Sequence, residues 1–366
     1  MMLRTSEPPA LTLASLPPSQ GPCAPPRSGA ATVLALALSS DGQLLASGGC
    51  DKAVHVWDLR APPAASPAYL THFPGHRDAV TGLAFREGSR QLFSCARDRC
   101  VKVWSLDDMA YVDTLYGHGA EVAAIAASRK ERVLTCGSDR TCRLWKVVED
   151  SQLVFHAPAA AGSLESICWV SPTEWVTGAT DGSLQRWSAT RKKPAGTWLG
   201  AHGAWTAAPV AAPAAENGRS HAPGPNAAAR KAGGSGLGYG ASARSVAAAC
   251  AASGRPEPCL GDAERWVNAV AAAPGSDLLA SGAADGCIRL WRAQGGALGF
   301  EPRGGLAARG FVNALAVARS GRFLLAAVGQ EHRLGRWARD CGARNGVLFH
   351  ALQLDDEEAA AAAEEP

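Results

Sequence analysis

The chain lacks any run of about 20 apolar residues, so no segment of it reads as a membrane-spanning helix. Its early stretch LTLASLPPSQGPCAPP is interrupted by prolines too soon to serve as a secretory leader. Both absences predict a soluble, intracellular protein with no membrane partner. Disulfide and zinc frameworks are missing too: the eleven cysteines are odd in number and form no CxxC pair. Cys95, Cys136, Cys142 and Cys168 fall inside strand-like patterns and read as small core residues. No G-x-S-x-G elbow, phosphate-cradling loop or aromatic RNP string occurs, which removes the sequence grounds for a serine hydrolase, a nucleotide-dependent enzyme or an RNA-recognition motif. We expect no enzymatic activity, no cofactor and no metal site.

What is present is a period. An acidic residue followed six positions later by tryptophan occurs six times: Asp51/Trp57, Asp98/Trp104, Asp139/Trp145, Asp181/Trp187, Asp285/Trp291 and Glu331/Trp337. All but one of the intervals between these tryptophans lie near the roughly 40 to 45 residues of a four-stranded WD40 propeller blade. Between acid and tryptophan the apolar residues alternate, as with Val101 and Val103 around Lys102 or Ile288 and Leu290 around Arg289. That is the pattern of a half-buried strand. Segments such as VLALALSSDGQLLASGG read as two further strands joined by a polar turn. The fold class expected is therefore all-β, a propeller of six recognisable blades.

Four residues before each aspartate stands a hydroxyl residue: Ser47, Ser94, Thr135, Thr177 or Ser281. Three units carry a histidine further upstream. The sets His76–Ser94–Asp98–Trp104, His118–Thr135–Asp139–Trp145 and His156–Thr177–Asp181–Trp187 resemble the buried tetrad of WD40 proteins. A carboxylate and backbone N–H groups half-buried at a tight turn need partners, and the histidine and hydroxyl supply them. Repetition of the set at one spacing favours this structural role over a Ser-His-Asp catalytic one.

Formal net charge is +3, and the last twelve residues, DDEEAAAAAEEP, hold six acids and no base. The body is thus the more basic part, which permits a polyanionic partner. Composition divides the chain into an unstructured segment 1–28, a propeller over 29–354 and an acidic tail 355–366. The Ala/Gly/Pro-rich insertion 203–261 is expected to be disordered. RKK, Arg191 to Lys193, is the longest basic run.

The sixth unit breaks its own rule. Glu331 replaces aspartate, Ala327 replaces the hydroxyl, no Gly-His pair precedes it, and Arg336 stands just before tryptophan where Val56, Val103, Leu144 and Leu290 stand elsewhere. Such a cation must pair, for instance with Glu331, or reach a ligand. Locally broken rules concentrate at functional sites, so Gln330, Glu331, His332, Arg333 and Arg336 are candidate RNA- or partner-binding residues. Arg77, Lys102 and Arg143 on other blades are further candidates. Reversing charge at Arg333 and Arg336 is expected to weaken assembly while leaving the fold intact.

The strings GQEHRLGRW, GHRDAVTGLAF, DRCVKVW, YVDTLYGH and EDSQLVF, spread between about residue 29 and residue 353, resemble the WD40 subunits of U3 small nucleolar ribonucleoproteins. The resemblance implies a non-catalytic nuclear, nucleolar protein of small-subunit ribosome biogenesis. It implies as partners the U3 small nucleolar RNA, a small kink-turn-binding protein, other box C/D particle proteins and the small-subunit processome. It also implies a seven-bladed parent whose first blade is missing or degenerate here. A competing expectation is a cullin-ligase adaptor docking through Trp57, Asp58, Leu59 and Arg60, a W-D-x-R string.

Overall fold

The computed structural model describes residues 32–60, 68–158, 161–202, 266–273, 276–293, 300–318, 320–335 and 339–352. The expectations for 1–28, 203–261 and 355–366, and for Arg336 and Trp337, lie outside the described residues. The rest folds into six antiparallel sheets. Blade one holds β1 (Val33–Leu38), β2 (Leu44–Gly49), β3 (Val54–Asp58) and β4 (Ala68–Phe73). Blade two holds β5 (Val80–Phe85), β6 (Gln91–Ala96), β7 (Cys100–Ser105) and β8 (Ala110–Tyr116). Blade three holds β9 (Val122–Ala127), β10 (Arg132–Gly137), β11 (Thr141–Lys146) and β12 (Ser151–His156). Blade four holds β13 (Leu164–Ser171), β14 (Glu174–Ala179), β15 (Leu184–Ser188) and β16 (Arg191–Trp198). Blade five holds β17 (Ala269–Ala272), β18 (Leu278–Gly282), β19 (Cys287–Ala293) and β20 (Phe300–Ala307). Blade six has β21 (Phe311–Val317), β22 (Phe323–Gly329) and β23 (Gly346–Ala351).

Each sheet is a meander, so its turns alternate between two rims. The connections between second and third strands share a rim with those that lead from one blade to the next. The period-two alternation places Val101 and Val103 in the core and Lys102 toward the other side of β7. Both faces of an inner blade are apolar because each meets a neighbour. Leu44, Ala46, Val54 and Val56 of blade one pack with Val80, Leu83, Leu92 and Trp104 of blade two. Close approach has a local cause: a Cβ at Gly48 would sit 2.7 Å from the Val80 side chain, so only glycine lets the blades meet there. Cys95, Cys136 and Cys142 are buried in these interfaces. Burial pushes the thiols of Cys95, Cys142 and Cys168 up to about 12, which keeps them protonated and inert.

Inner strands pack in the order β1, β5, β9, β13, β17, β21. No comparable packing joins β21 back to β1 among the described residues. The consequence is visible in exposure: Val33, Leu36 and Leu38 of β1 are over half exposed, as are Val347 and Phe349 of β23. Val347 and Phe349 pair with Ala327 and Leu325, on the side of blade six opposite to the Leu324, Ala326 and Val328 side that meets blade five. Two apolar sheet faces thus stand uncovered at the ends of the six-blade arc.

One expectation about blade six is corrected. The alternation rule places a third strand directly after Glu331, yet the chain turns at His332–Gly335, Glu331 makes a single bridge with Arg339, and the next strand begins only at Gly346. Gly335 at φ 64° supplies the reversal that a strand would not tolerate.

Candidate functional site

The rim of second-to-third-strand turns carries the tetrads. In blade two, His76 lies with Nδ1 2.9 Å from Asp98 Oδ2 and Nε2 2.7 Å from Ser94 Oγ, which also accepts Trp104 Nε1–H at 2.8 Å. Blade three repeats this with His118, Asp139, Thr135 and Trp145 at 2.9, 2.8 and 2.8 Å. The carboxylates do a second job. Asp98 accepts Cys100 N–H, closing its own turn, and Arg77 N–H at 2.9 Å, fixing the connection from blade one. Burial alone would raise these carboxyl pKa values, but hydrogen bonds from the histidines and backbone outweigh it, and Asp98 and Asp139 are held below the ordinary range. Ser94 and Thr135 are 0% exposed, so neither hydroxyl can meet a substrate carbonyl.

The fourth-blade histidine needs correcting. Trp187 Nε1 donates to Thr177 Oγ1 at 2.9 Å and Asp181 caps Ser183, but His156 stands exposed. The cause is register. His156 is the last residue of β12, paired across the sheet with Thr141, whereas His76 and His118 stand beyond their outer strands, in the connections that fold back over the rim. Sequence reasoning also missed a complete tetrad. His202 Nδ1 is 2.9 Å from Asp285 Oδ2, its Nε2 2.8 Å from Ser281 Oγ, and Trp291 Nε1 donates to that hydroxyl at 2.8 Å. The signal was the GAHG string directly after β16, masked because the long insertion separates His202 from its partners. Blade one improvises: Trp57 binds Ser47 at 3.1 Å, and Asp51 is met by His55 from β3 at 2.6 Å.

The Gln330–Arg333 turn faces inward. Gln330 donates from its amide to Ala343 O at 2.9 Å and accepts Arg339 Nη2 at 2.9 Å, while its backbone N–H bonds Asn345 Oδ1. Glu331 is exposed and lies 3.5 Å from Arg339. His332 is buried, with Trp266 and Phe311 edge-on to its ring. Arg333 is pinned by Asn313 Oδ1 on its backbone N–H, and its guanidinium then crosses the ring. It donates to Thr81 O at 2.9 Å, Ala123 O at 2.7 Å and Glu165 O at 3.3 Å. Those carbonyls belong to the starts of the inner strands of blades two, three and four, so one side chain ties blade six to three others across the axis.

Of the three remaining candidates, Arg77 sits on the tetrad rim of blade two, while Lys102 and Arg143 stand in the middle of β7 and β11. Arg77 is exposed. Lys102 Nζ donates to Thr114 Oγ1 at 2.9 Å and stands 4.9 Å over the Tyr111 ring. Arg143 donates to Gln152 Oε1 at 2.7 Å. In the W-D-x-R string, Arg60 turns back onto Asp58 with Nε 2.9 Å from each carboxylate oxygen, and this bond holds the Asp58 carboxyl down at about 2.

Five four-stranded sheets and one of three strands, packed side by side through their inner strands, with tetrads at the shared rim, define a WD40 β-propeller. The family model for the WD domain, G-beta repeat, matches residues 25–58, 68–105, 109–146 and 257–292. The U3 snoRNP-associated protein-like EMB2271 of Arabidopsis thaliana is 37% identical over 88% of this chain and 56% of its own length. The human U3 small nucleolar RNA-interacting protein 2 is 36% identical over 88% of this chain and 56% of its own length. The solved structure of U3-55K superposes with a TM-score of 0.67 at 36% identity, covering 87% of this chain and 80% of that one. The chain belongs to this U3 ribonucleoprotein-associated family of WD40 proteins, and spans just over half the length of the curated relatives it matches.

Proposed function

We propose that the chain is a non-catalytic RNA- and protein-binding subunit of the U3 box C/D small nucleolar ribonucleoprotein, acting in ribosomal precursor RNA processing for the small subunit. The observation that carries this reading is the 36% identity to the human U3 small nucleolar RNA-interacting protein 2 along 88% of the chain. The geometry agrees with it: the repeated Ser/Thr-His-Asp sets are buried staples, which leaves binding at the rims as the work of the fold. The expected partners are the U3 small nucleolar RNA, a small kink-turn-binding protein seated on it, other box C/D particle proteins and the small-subunit processome. The expected location is the nucleus and nucleolus. Candidate contacts are Arg77, Lys102 and Arg143 together with the exposed Glu331 and with Arg336. The adaptor reading is less favoured because the Arg60 guanidinium is engaged by Asp58.

A binding experiment tests the proposal. Purified chain is titrated onto in-vitro transcribed U3 small nucleolar RNA, with and without the kink-turn protein, against an unrelated RNA of equal length. Preference for the U3 RNA, sharpened by the kink-turn protein, is the expected result. Equal binding to both RNAs under all conditions would contradict it.

A further inference from the structure

The residue after the tetrad aspartate takes a left-handed backbone in each of the first five blades: Lys52 at φ 65°, Arg99 at φ 69°, Arg140 at φ 58°, Gly182 at φ 81° and Gly286 at φ 82°. Glycine adopts this conformation freely, whereas a residue with a Cβ is strained there. Blades four and five take the unstrained solution. Blades one to three place a long cation at the same position, and Lys52, Arg99 and Arg140 are all exposed. Strain retained at equivalent positions calls for a compensating gain, and a fixed outward charge is the feature these three residues share. The other left-handed non-glycine residues, Met109 and Asp150, lie on the opposite rim and carry no base.

Several bases of the opposite rim meet acids, Arg86 with Glu131, Arg90 with Asp41 and Asp107, Lys146 with Glu149, Arg60 with Asp58, while the exposed Arg129, Lys130, Arg191, Lys192 and Lys193 there form no ion pair among the described residues. On the tetrad rim of blades one to three, Arg97 pairs with Glu121 and Arg140 has a partner of its own, whereas Lys52, Arg77 and Arg99 form no ion pair among the described residues. The tetrad aspartates are saturated by histidine and backbone donors, and the exposed Asp78 caps Ala79 N–H. Arg77 follows His76 and bonds Asp98 through its backbone, which sets it beside Arg99.

We infer that Lys52, Arg99 and Arg140, with Arg77 beside Arg99, form an arc of phosphate contacts along the tetrad rim of blades one to three. An RNA backbone lies on this arc. The inference rests on the RNA-binding reading above and assigns it a surface. One cation per blade at a repeated position suits the repeated charges of a nucleic-acid strand and carries no base specificity, since phosphate contacts position and base contacts specify.

Glycine provides the test, because at these turns it removes the charge and relieves the strain together. The triple variant Lys52→Gly, Arg99→Gly, Arg140→Gly of the full chain is compared with the parent on in-vitro transcribed U3 small nucleolar RNA, an unrelated RNA and poly-glutamate. Salt is varied over roughly 50 to 200 mM. The thermal midpoint should stay or rise, excluding a folding defect. RNA affinity near 0.1 M salt should fall about a hundredfold, and the slope of log affinity against log salt should shrink by roughly 2 to 3. Unchanged affinity and slope in a folded triple variant would overturn the arc while leaving the U3 assignment standing. If the parent binds all RNAs alike and the variant loses that binding, the arc stands and the U3 assignment fails. Loss confined to poly-glutamate binding would assign the arc to an acidic protein and overturn the RNA inference.

Discussion

Removing the Arg333 side chain tests whether one cation holds blade six to the rest. In Arg333→Ala, three charge-assisted hydrogen bonds to Thr81, Ala123 and Glu165 carbonyls disappear. Each such bond contributes about 1.5 kcal/mol or more. Arg333 as a residue is half-buried, although its Nε is enclosed, so water that reaches the vacated space resolvates part of the carbonyl set. The net loss should be about 3 kcal/mol, which for a chain of this size lowers the melting midpoint by roughly 4 to 6 °C. Arg333→Lys keeps the charge but not the planar fork, and should recover less than half. The assay is thermal unfolding followed by tryptophan fluorescence, alongside limited proteolysis to see whether blade six is released first. A midpoint within about 1 °C of the parent would refute the clasp. The same geometry revises the sequence-based expectation for Arg333: charge reversal there perturbs the fold, so loss of assembly in such a variant would report stability as much as binding.

Three further outcomes follow from the tetrads. His202→Ala should cost about 1 to 3 kcal/mol, since it strips partners from the half-buried Asp285 and the buried Ser281, whereas His156→Ala should be neutral within about 0.5 kcal/mol; equal midpoints in urea unfolding would contradict the assignment. Trp145→Ala, which removes a buried aromatic and leaves Thr135 short of a donor, should lower stability by roughly 3 to 5 kcal/mol in the same assay. Asp98, Asp139 and Asp285 all have carboxyl pKa values held below the ordinary one. Their contribution is therefore complete above an unfolded-state value of about 3.9 and is lost as pH falls through the lower folded values. Midpoints measured from pH 6 downward should fall steeply only below about pH 4, and a pH-independent midpoint in that acid window would count against the network.

Much of the fold was legible because its signals are short-range. An aspartate, a tryptophan six residues later and a hydroxyl four residues earlier all belong to one hairpin, so their spacing survives translation into sequence. The histidine belongs to the preceding connection, whose length varies, and this is why His156 was included wrongly and His202 passed over. Blade six was misread for a related reason: Glu331 sits where a third strand begins elsewhere, but Gly335 reverses the chain and β23 arrives later. The role of Arg333 was out of reach altogether. Its partner Thr81 is 252 positions away, and no local pattern says that a cation before a tryptophan will bind backbone carbonyls at the ring axis. Broken periodicity did single out a special turn, but broken rules mark structural locks as well as binding sites.

The central claim is that this propeller binds U3 small nucleolar RNA within its particle, and ultraviolet crosslinking in cells tests it most directly. The tagged full chain is crosslinked and purified under denaturing conditions, and the attached RNA is sequenced. The account predicts that U3 small nucleolar RNA dominates the reads. Recovery of no enriched RNA, with a cullin-ligase linker copurifying from uncrosslinked cells, would contradict it.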